Sequence, residues 1–208
     1  MLTEFFTIGL LMLLSAMLPG PDFAMVTRNT ITHSRRAGLF TALGVTSSNL
    51  VHISYCVLGL AIIISKSILL FSIIKYIGAT YLIYLGISAL GAKQNKAVAA
   101  ADGKTYKTDM KALTAFRQGF LCNLLNPKAT LFFLAFFTVI IKPETPRNWE
   151  LIFCVEMLVI IFLWFSGLAL MLSHPRVVGT LNRIEKYISK VLGIFLIGFG
   201  AALAFVKN

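Results

Sequence analysis

Six stretches of this sequence run for about twenty residues or more with little charge: about 3–26, 37–65, 73–92, 115–141, 150–172 and 187–206. A helix rising 1.5 Å per residue needs about 20 mostly apolar residues to cross the hydrocarbon layer of a bilayer. Segments of this kind joined by short connectors predict one all-α polytopic transmembrane domain over residues 1–208, with nothing left over for a soluble domain. Composition agrees, since 58% of residues are hydrophobic, 13% are charged and the mean hydropathy is +0.84. A soluble domain carries roughly 25% charged residues.

The first stretch is read as a retained membrane helix rather than a cleaved leader. Glu4 stands where a basic segment belongs, the apolar run is long, and Pro-Gly-Pro-Asp is no small-residue cleavage site.

Basic residues set the expected orientation. The connectors after the first, third and fifth stretches hold 13 Lys and Arg, the other side holds 5, and Lys128 is the nineteenth. Positive charge accumulates on cytoplasmic loops, so both termini are expected in the periplasm. The longest basic connector, 93–114, separates halves of about 1–92 and 115–208, each with three spans. An odd number per half makes the second half insert upside down, the plan of an inverted repeat with a binding site between its halves. Rocking of one half against the other would then alternate access. The net charge of +11 is explained by these loops, and no nucleic-acid partner is expected.

Several chemistries find no support. Cys56, Cys122 and Cys154 are single, with no paired spacing, and read as small buried hydrophobes. His33, His52 and His174 form no metal motif, and no phosphate loop, dinucleotide fingerprint or nucleophile elbow occurs. No enzyme activity, metal or cofactor is expected. Gly198 and Ala202 make a small-residue pair that reads as packing within the chain, with a homo-oligomer as the alternative.

Two helix breaks stand out. In the first stretch Pro19, Gly20, Pro21 and Asp22 interrupt the apolar run; in the fourth, Asn126-Pro127-Lys128 do. Gly20 and Asn126 suit an N-cap, and Pro21 and Pro127 the first helical position, so both breaks read as restarts. Broken backbone at membrane depth is tolerated where it is buried in protein or lines a cavity, and free N–H groups at a restarted helix attract anions. The Pro19–Asp22 break also admits a plainer reading. Residues 3–18 already cover about 24 Å, which sets Pro19 near the cytoplasmic surface as an ordinary helix end.

Lys128 is costly by depth, at least about 2.5–3.5 kcal/mol, and again by its place in the first turn of a helix. A compensating anion is expected, from Asp22, Glu156 or a substrate. Glu156 lies in an apolar run with no local partner. Ser47, Ser48, Asn49 and His52 form a polar patch in the second stretch, expected to face the interior.

The segments LPGPDFAMVTRNTITHSRRAGLFTALG, YIGATYLIYLGISAL, RQGFLCNLLNPKATLFFLAFF and LGIFLIGFGAAL resemble, in order and spacing, the lysine-exporter (LysE/RhtB) family of bacterial amino-acid exporters. The homoserine/threonine branch is the nearer one. The resemblance implies a protein of the bacterial inner membrane that expels amino acids, driven by protons. It adds weight to Asp22, Asn126, Pro127 and Lys128, and favours function over a plain helix end at Pro19–Asp22.

An amino acid is a zwitterion, so its site needs both signs of charge. Lys128 and free amides at the second break are expected to hold the carboxylate, and Asp22, or else Glu156, the ammonium. The same acid would carry the coupling proton. Asn49, Asn123 and Asn126 complete the expected substrate site. A thiol-disulfide electron carrier of related fold, or a channel or scaffold, is the alternative.

Overall fold

The computed structural model describes residues 1–66, 68–91, 110–140, 145–172 and 175–205. These form helices α1 (Leu2–Met17), α2 (Pro21–Thr32), α3 (Arg35–Lys66), α4 (Ile68–Leu90), α5 (Ala112–Leu124), α6 (Pro127–Ile140), α7 (Arg147–Met171) and α8 (Pro175–Phe205). Among the described residues there is no strand. The expected connector 93–114 lies mostly outside them.

Both breaks fall at the predicted residues, for local reasons. Leu18 precedes a proline, which disfavours helical backbone, and it ends α1 in an extended conformation (φ −66°, ψ 120°). Gly20 is the N-cap of α2 and Pro21 its first residue. Pro127 likewise opens α6, and Asn126 Oδ1 accepts the N–H of Lys128 at 3.0 Å. The chain bends by 60° between α1 and α2 and by 58° between α5 and α6. Each bent pair is apolar and long enough to be one broken span, as α7 is alone.

One boundary is corrected. The connector expected after the fifth stretch is helical from Pro175, so Arg176, Arg183, Lys186 and Lys190 sit on α8 rather than in a loop. Proline at its first turn starts the helix well before the apolar run begins.

The molecule presents large apolar side chains outward and buries a set of polar ones within a largely apolar core. Leu58, Tyr84, Leu163 and Ile194 are exposed, while Asn29, Thr41, Ser48, Asn49, His52 and Asn123 are buried. That is the distribution expected where the surrounding solvent is lipid. Hydroxyls on α3 bond back to their own helix, for example Thr41 to the Ala37 carbonyl at 2.8 Å and Thr46 to the Ala42 carbonyl at 2.9 Å.

Packing interleaves the sequence halves. The most extensive contacts are α3 with α5 and α4 with α8. Glycines set the first seam, because a Cβ on Gly44 would strike the Phe116 carbonyl and one on Gly119 the Thr41 carbonyl. Gly86 and Gly193 face each other across the second, and Gly200 lies on the Ala79 carbonyl. Gly198 behaves differently from expectation: nothing lies within 4 Å of its Cβ position, and both it and Ala202 are exposed. Its neighbours Gly193 and Gly200 occupy the packed face instead.

Candidate functional site

The two breaks meet. Asp22, in the first turn of α2, accepts on Oδ2 from Asn123 Nδ2 at 3.0 Å and from Asn126 Nδ2 at 3.1 Å. Asn123 lies at the end of α5 and Asn126 caps α6. In return Lys128, in the first turn of α6, sends its ammonium to the Leu18 carbonyl at the end of α1, 3.3 Å away. Each break thus carries a charged side chain that satisfies polar groups of the other.

These groups line one small cavity of about 50 Å³ that opens to the surface. All five residues expected to bind substrate, Asp22, Asn49, Asn123, Asn126 and Lys128, are on its wall, together with Gly20. Ser15 and the apolar groups Met12, Phe23, Phe132, Phe133, Ile161 and Phe165 supply the rest of the lining that matters here. Opposite charges share the space without a direct ion pair between Asp22 and Lys128.

Two acceptors stand out as unused. Asp22 Oδ1 and Asn123 Oδ1 are both buried without a hydrogen-bond partner among the described residues, although the Cys122 thiol lies beside the Asp22 carboxylate. Asn123 donates its Nδ2 to a carboxylate, which can only accept when ionised, so its free atom is an oxygen acceptor.

His52 has a structural place beside the cavity. Its Nε2 faces the Asn123 carbonyl at 3.1 Å, and its ring stacks on Phe133 at 5.9 Å between centroids. A carbonyl only accepts, so Nε2 carries the hydrogen and Nδ1 accepts from the Tyr55 hydroxyl at 2.6 Å. The ring therefore ties α3 to the carbonyl end of α5 just where the chain breaks.

Two expectations need correction. The second break offers no free amides: Pro127 has none, Lys128 N–H is capped by Asn126 Oδ1, and Ala129 N–H bonds the Asn126 carbonyl at 3.0 Å. Lys128 also bonds a main-chain carbonyl at a helix C-terminus, the favourable end of a dipole for a cation, while the Asp22 carboxylate is close enough to act on its charge, as expected. Glu156 stands elsewhere, on α7 against Gly9 of α1, and is not on the cavity wall. Its Oε2 is buried without a partner among the described residues. The aromatic lining escaped sequence reasoning, because a cavity-facing Phe and a lipid-facing Phe look alike in an apolar run.

Among the described residues no group of His, Cys, Asp and Glu is placed to hold a metal, and the three cysteines are free thiols.

Comparison with known proteins places this geometry in context. The LysE type translocator family matches residues 13–206. The chain is 31% identical over 208 residues to the threonine efflux protein of Escherichia coli (strain K12), covering 98% of each. It is 29% identical over 195 residues to the leucine efflux protein of Klebsiella pneumoniae subsp. pneumoniae, covering 92% of this chain and 90% of that one. It is also 33% identical over 194 residues to the uncharacterized membrane protein YrhP of Bacillus subtilis (strain 168), covering 88% of this chain and 90% of that protein. No solved structure matches.

Proposed function

Taking as premise that this chain belongs to the LysE type translocator family, we propose that it exports neutral amino acids across the bacterial inner membrane in exchange for protons. It is an amino-acid efflux transporter by family. The finer reading rests on one observation, the cavity in which Asp22 and Lys128 supply both signs of charge a zwitterion needs. The substrate's two ends use both charges. With a wall otherwise of amides, a serine and apolar groups, the cavity suits an uncharged side chain, as in threonine or leucine.

Six spans carry this function, four single helices and two bent pairs, arranged as two inverted halves with both termini in the periplasm. The bends fall in the first span of each half, where a transport site is built from discontinuous helices. Helix α3 is locked to α5 and α4 to α8, so the units that move are these cross-half pairs rather than the sequence halves. Asp22 takes a proton when the substrate leaves and gives it up when the next ammonium arrives, which makes the exchange obligatory. Glu156, against Gly9, has the lesser claim to that proton.

The test is counterflow of the purified protein in liposomes, screened over the common amino acids. Exchange of threonine or leucine, accelerated by an imposed proton gradient, is expected. Passive flux of unrelated solutes with no exchange would instead support a channel.

A further inference from the structure

The two helix restarts are chemically unequal. At α6 the cap residue and backbone use up the first N–H groups, as described above. At α2 the N-cap is Gly20, which has no side chain to cap with. Pro21 has no N–H, and Ala24 N–H bonds the Gly20 carbonyl at 2.9 Å. That leaves the N–H groups of Asp22 and Phe23, for which no acceptor exists among the described residues. Gly20, Asp22 and Phe23 all face the cavity.

Lys128 converges on the same place. Its ammonium would be 3.1 Å from a Cβ on Gly20. Gly20 has extended backbone (φ −164°), which any residue adopts, so what glycine supplies there is space beside the ammonium. One hydrogen bond to Leu18 leaves Lys128 two further N–H donors. On the opposite account, the unpartnered atoms Asp22 Oδ1 and Asn123 Oδ1 are both acceptors, and Asn123 is only 2% exposed. A buried amide oxygen with no donor is costly, and a ligand donor would satisfy it.

We infer that the cavity holds its substrate with one fixed polarity: the carboxylate on the N–H groups that open α2 together with Lys128, the ammonium between Asp22 Oδ1 and Asn123 Oδ1. Asn123 is thereby a substrate-contacting residue and Gly20 the space-maker of the carboxylate end. The side chain faces Met12, Phe132, Ile161 and Phe165. Free donors and free acceptors then both find partners, and a cationic or anionic side chain finds no counter-charge.

The assignment rests on the transport reading, and the experiment separates the two. Purified protein in liposomes is assayed for counterflow of radiolabelled L-leucine and L-threonine. If neither exchanges, the transport reading fails by itself. With leucine exchange established, L-leucinamide (no carboxylate) and 4-methylpentanoate (no ammonium) serve as competitors, and each is expected to bind at least tenfold more weakly than leucine. Gly20→Ala should weaken leucine about tenfold while moving leucinamide less than twofold. Asn123→Ala should weaken leucine about tenfold while moving 4-methylpentanoate less than twofold. If leucinamide competes as well as leucine, or if either variant shifts leucine and its analogue alike, the polarity is wrong and those atoms bind water. Thermal unfolding of both variants in detergent checks that they are folded, and Asn123→Ser, which keeps an oxygen acceptor, should recover part of the lost affinity.

Discussion

Lys128 donates to the Leu18 carbonyl at 3.3 Å, so the cation at one helix break closes the end of the helix before the other. Asp22 returns the favour in kind, taking hydrogen bonds from Asn123 and Asn126 on either side of the second break. A polypeptide that interrupts its helices inside a membrane exposes carbonyls that lipid cannot solvate. Here the solvation comes from the partner break, and both breaks therefore depend on the two coming together.

Asn126 donates to Asp22 and also caps the Lys128 N–H, and substitution separates the two bonds. Asn126→Ser keeps an N-cap for Lys128 N–H and loses the donor to Asp22, costing about 1.5–3 kcal/mol. Asn126→Ala loses the cap as well, about 1 kcal/mol more. Asn126→Asp keeps the cap but sets a second carboxylate against Asp22, and should unfold at a lower temperature than Asn126→Ser. Thermal unfolding in detergent reads the order; equal stability of Asn126→Asp and the unsubstituted protein would mean that the bond to Asp22 is absent.

Asp22→Asn should insert normally, because its carbonyl oxygen still accepts from Asn123 and Asn126. It cannot exchange a proton, so the response of transport to an imposed proton gradient should fall more than tenfold. Glu156→Gln, outside the cavity against Gly9, should keep that response. Flux measured with and without the gradient decides between the two acids, and the reverse pattern would give the proton to Glu156.

The α3–α5 seam predicts a purely structural effect. A methyl at Gly44 or Gly119 meets backbone, which moves less readily than a side chain. Gly44→Ala and Gly119→Ala should each destabilise by about 1–3 kcal/mol. Gly167, with nothing within 4 Å of its Cβ position, is the control; Gly167→Ala should be neutral or slightly stabilising. Melting temperatures of the three variants that fail to separate would show that the seam is looser than described.

The breaks themselves were legible because proline and glycine act locally: Gly20, Pro21, Asn126 and Pro127 take the cap and first-turn positions their chemistry favours. Partners were not. Any carbonyl is a potential acceptor for Lys128, and the freeing of Leu18 depends on how α1 ends against α6. Face was half legible. Of Ser47, Ser48, Asn49 and His52, the last three are buried as expected, but only Asn49 lines the cavity; His52 turns to the Asn123 carbonyl and Ser47 bonds the Leu43 carbonyl of its own helix. Each residue step rotates a helix by about 100°, so a polar cluster marks a helix but not the direction of each member. Glu156 shows the same limit, since an acid in an apolar run does not reveal which neighbour it meets.

Orientation is testable at residue 104, outside the described residues, and at Thr3. The basic bias predicts residues 93–117 in the cytoplasm. With Cys56, Cys122 and Cys154 replaced, Lys104→Cys should resist an impermeant thiol reagent applied to intact cells, and Thr3→Cys should react. Labelling at 104 from outside would overturn both the orientation and the inverted arrangement of the halves.

Lys128 bears the strongest test. Removing its side chain leaves Asp22 with both amide donors but takes away the cation that offsets its charge. The Leu18 carbonyl also loses its partner, at a cost of about 1–3 kcal/mol. Lys128→Ala should still insert and purify, with amino-acid binding down more than tenfold. Lys128→Arg should keep the charge yet transport poorly, because the larger guanidinium must fit where the ammonium already lies 3.1 Å from the Cβ position of Gly20. The double substitution Lys128→Ala with Asp22→Ala should rescue nothing, since the substrate then loses both of its charged partners. Equilibrium binding and thermal unfolding on the same samples separate the causes. A large stability loss in Lys128→Ala that the double substitution repairs, with export returning, would make Lys128 half of a structural pair and leave the cavity without its carboxylate anchor.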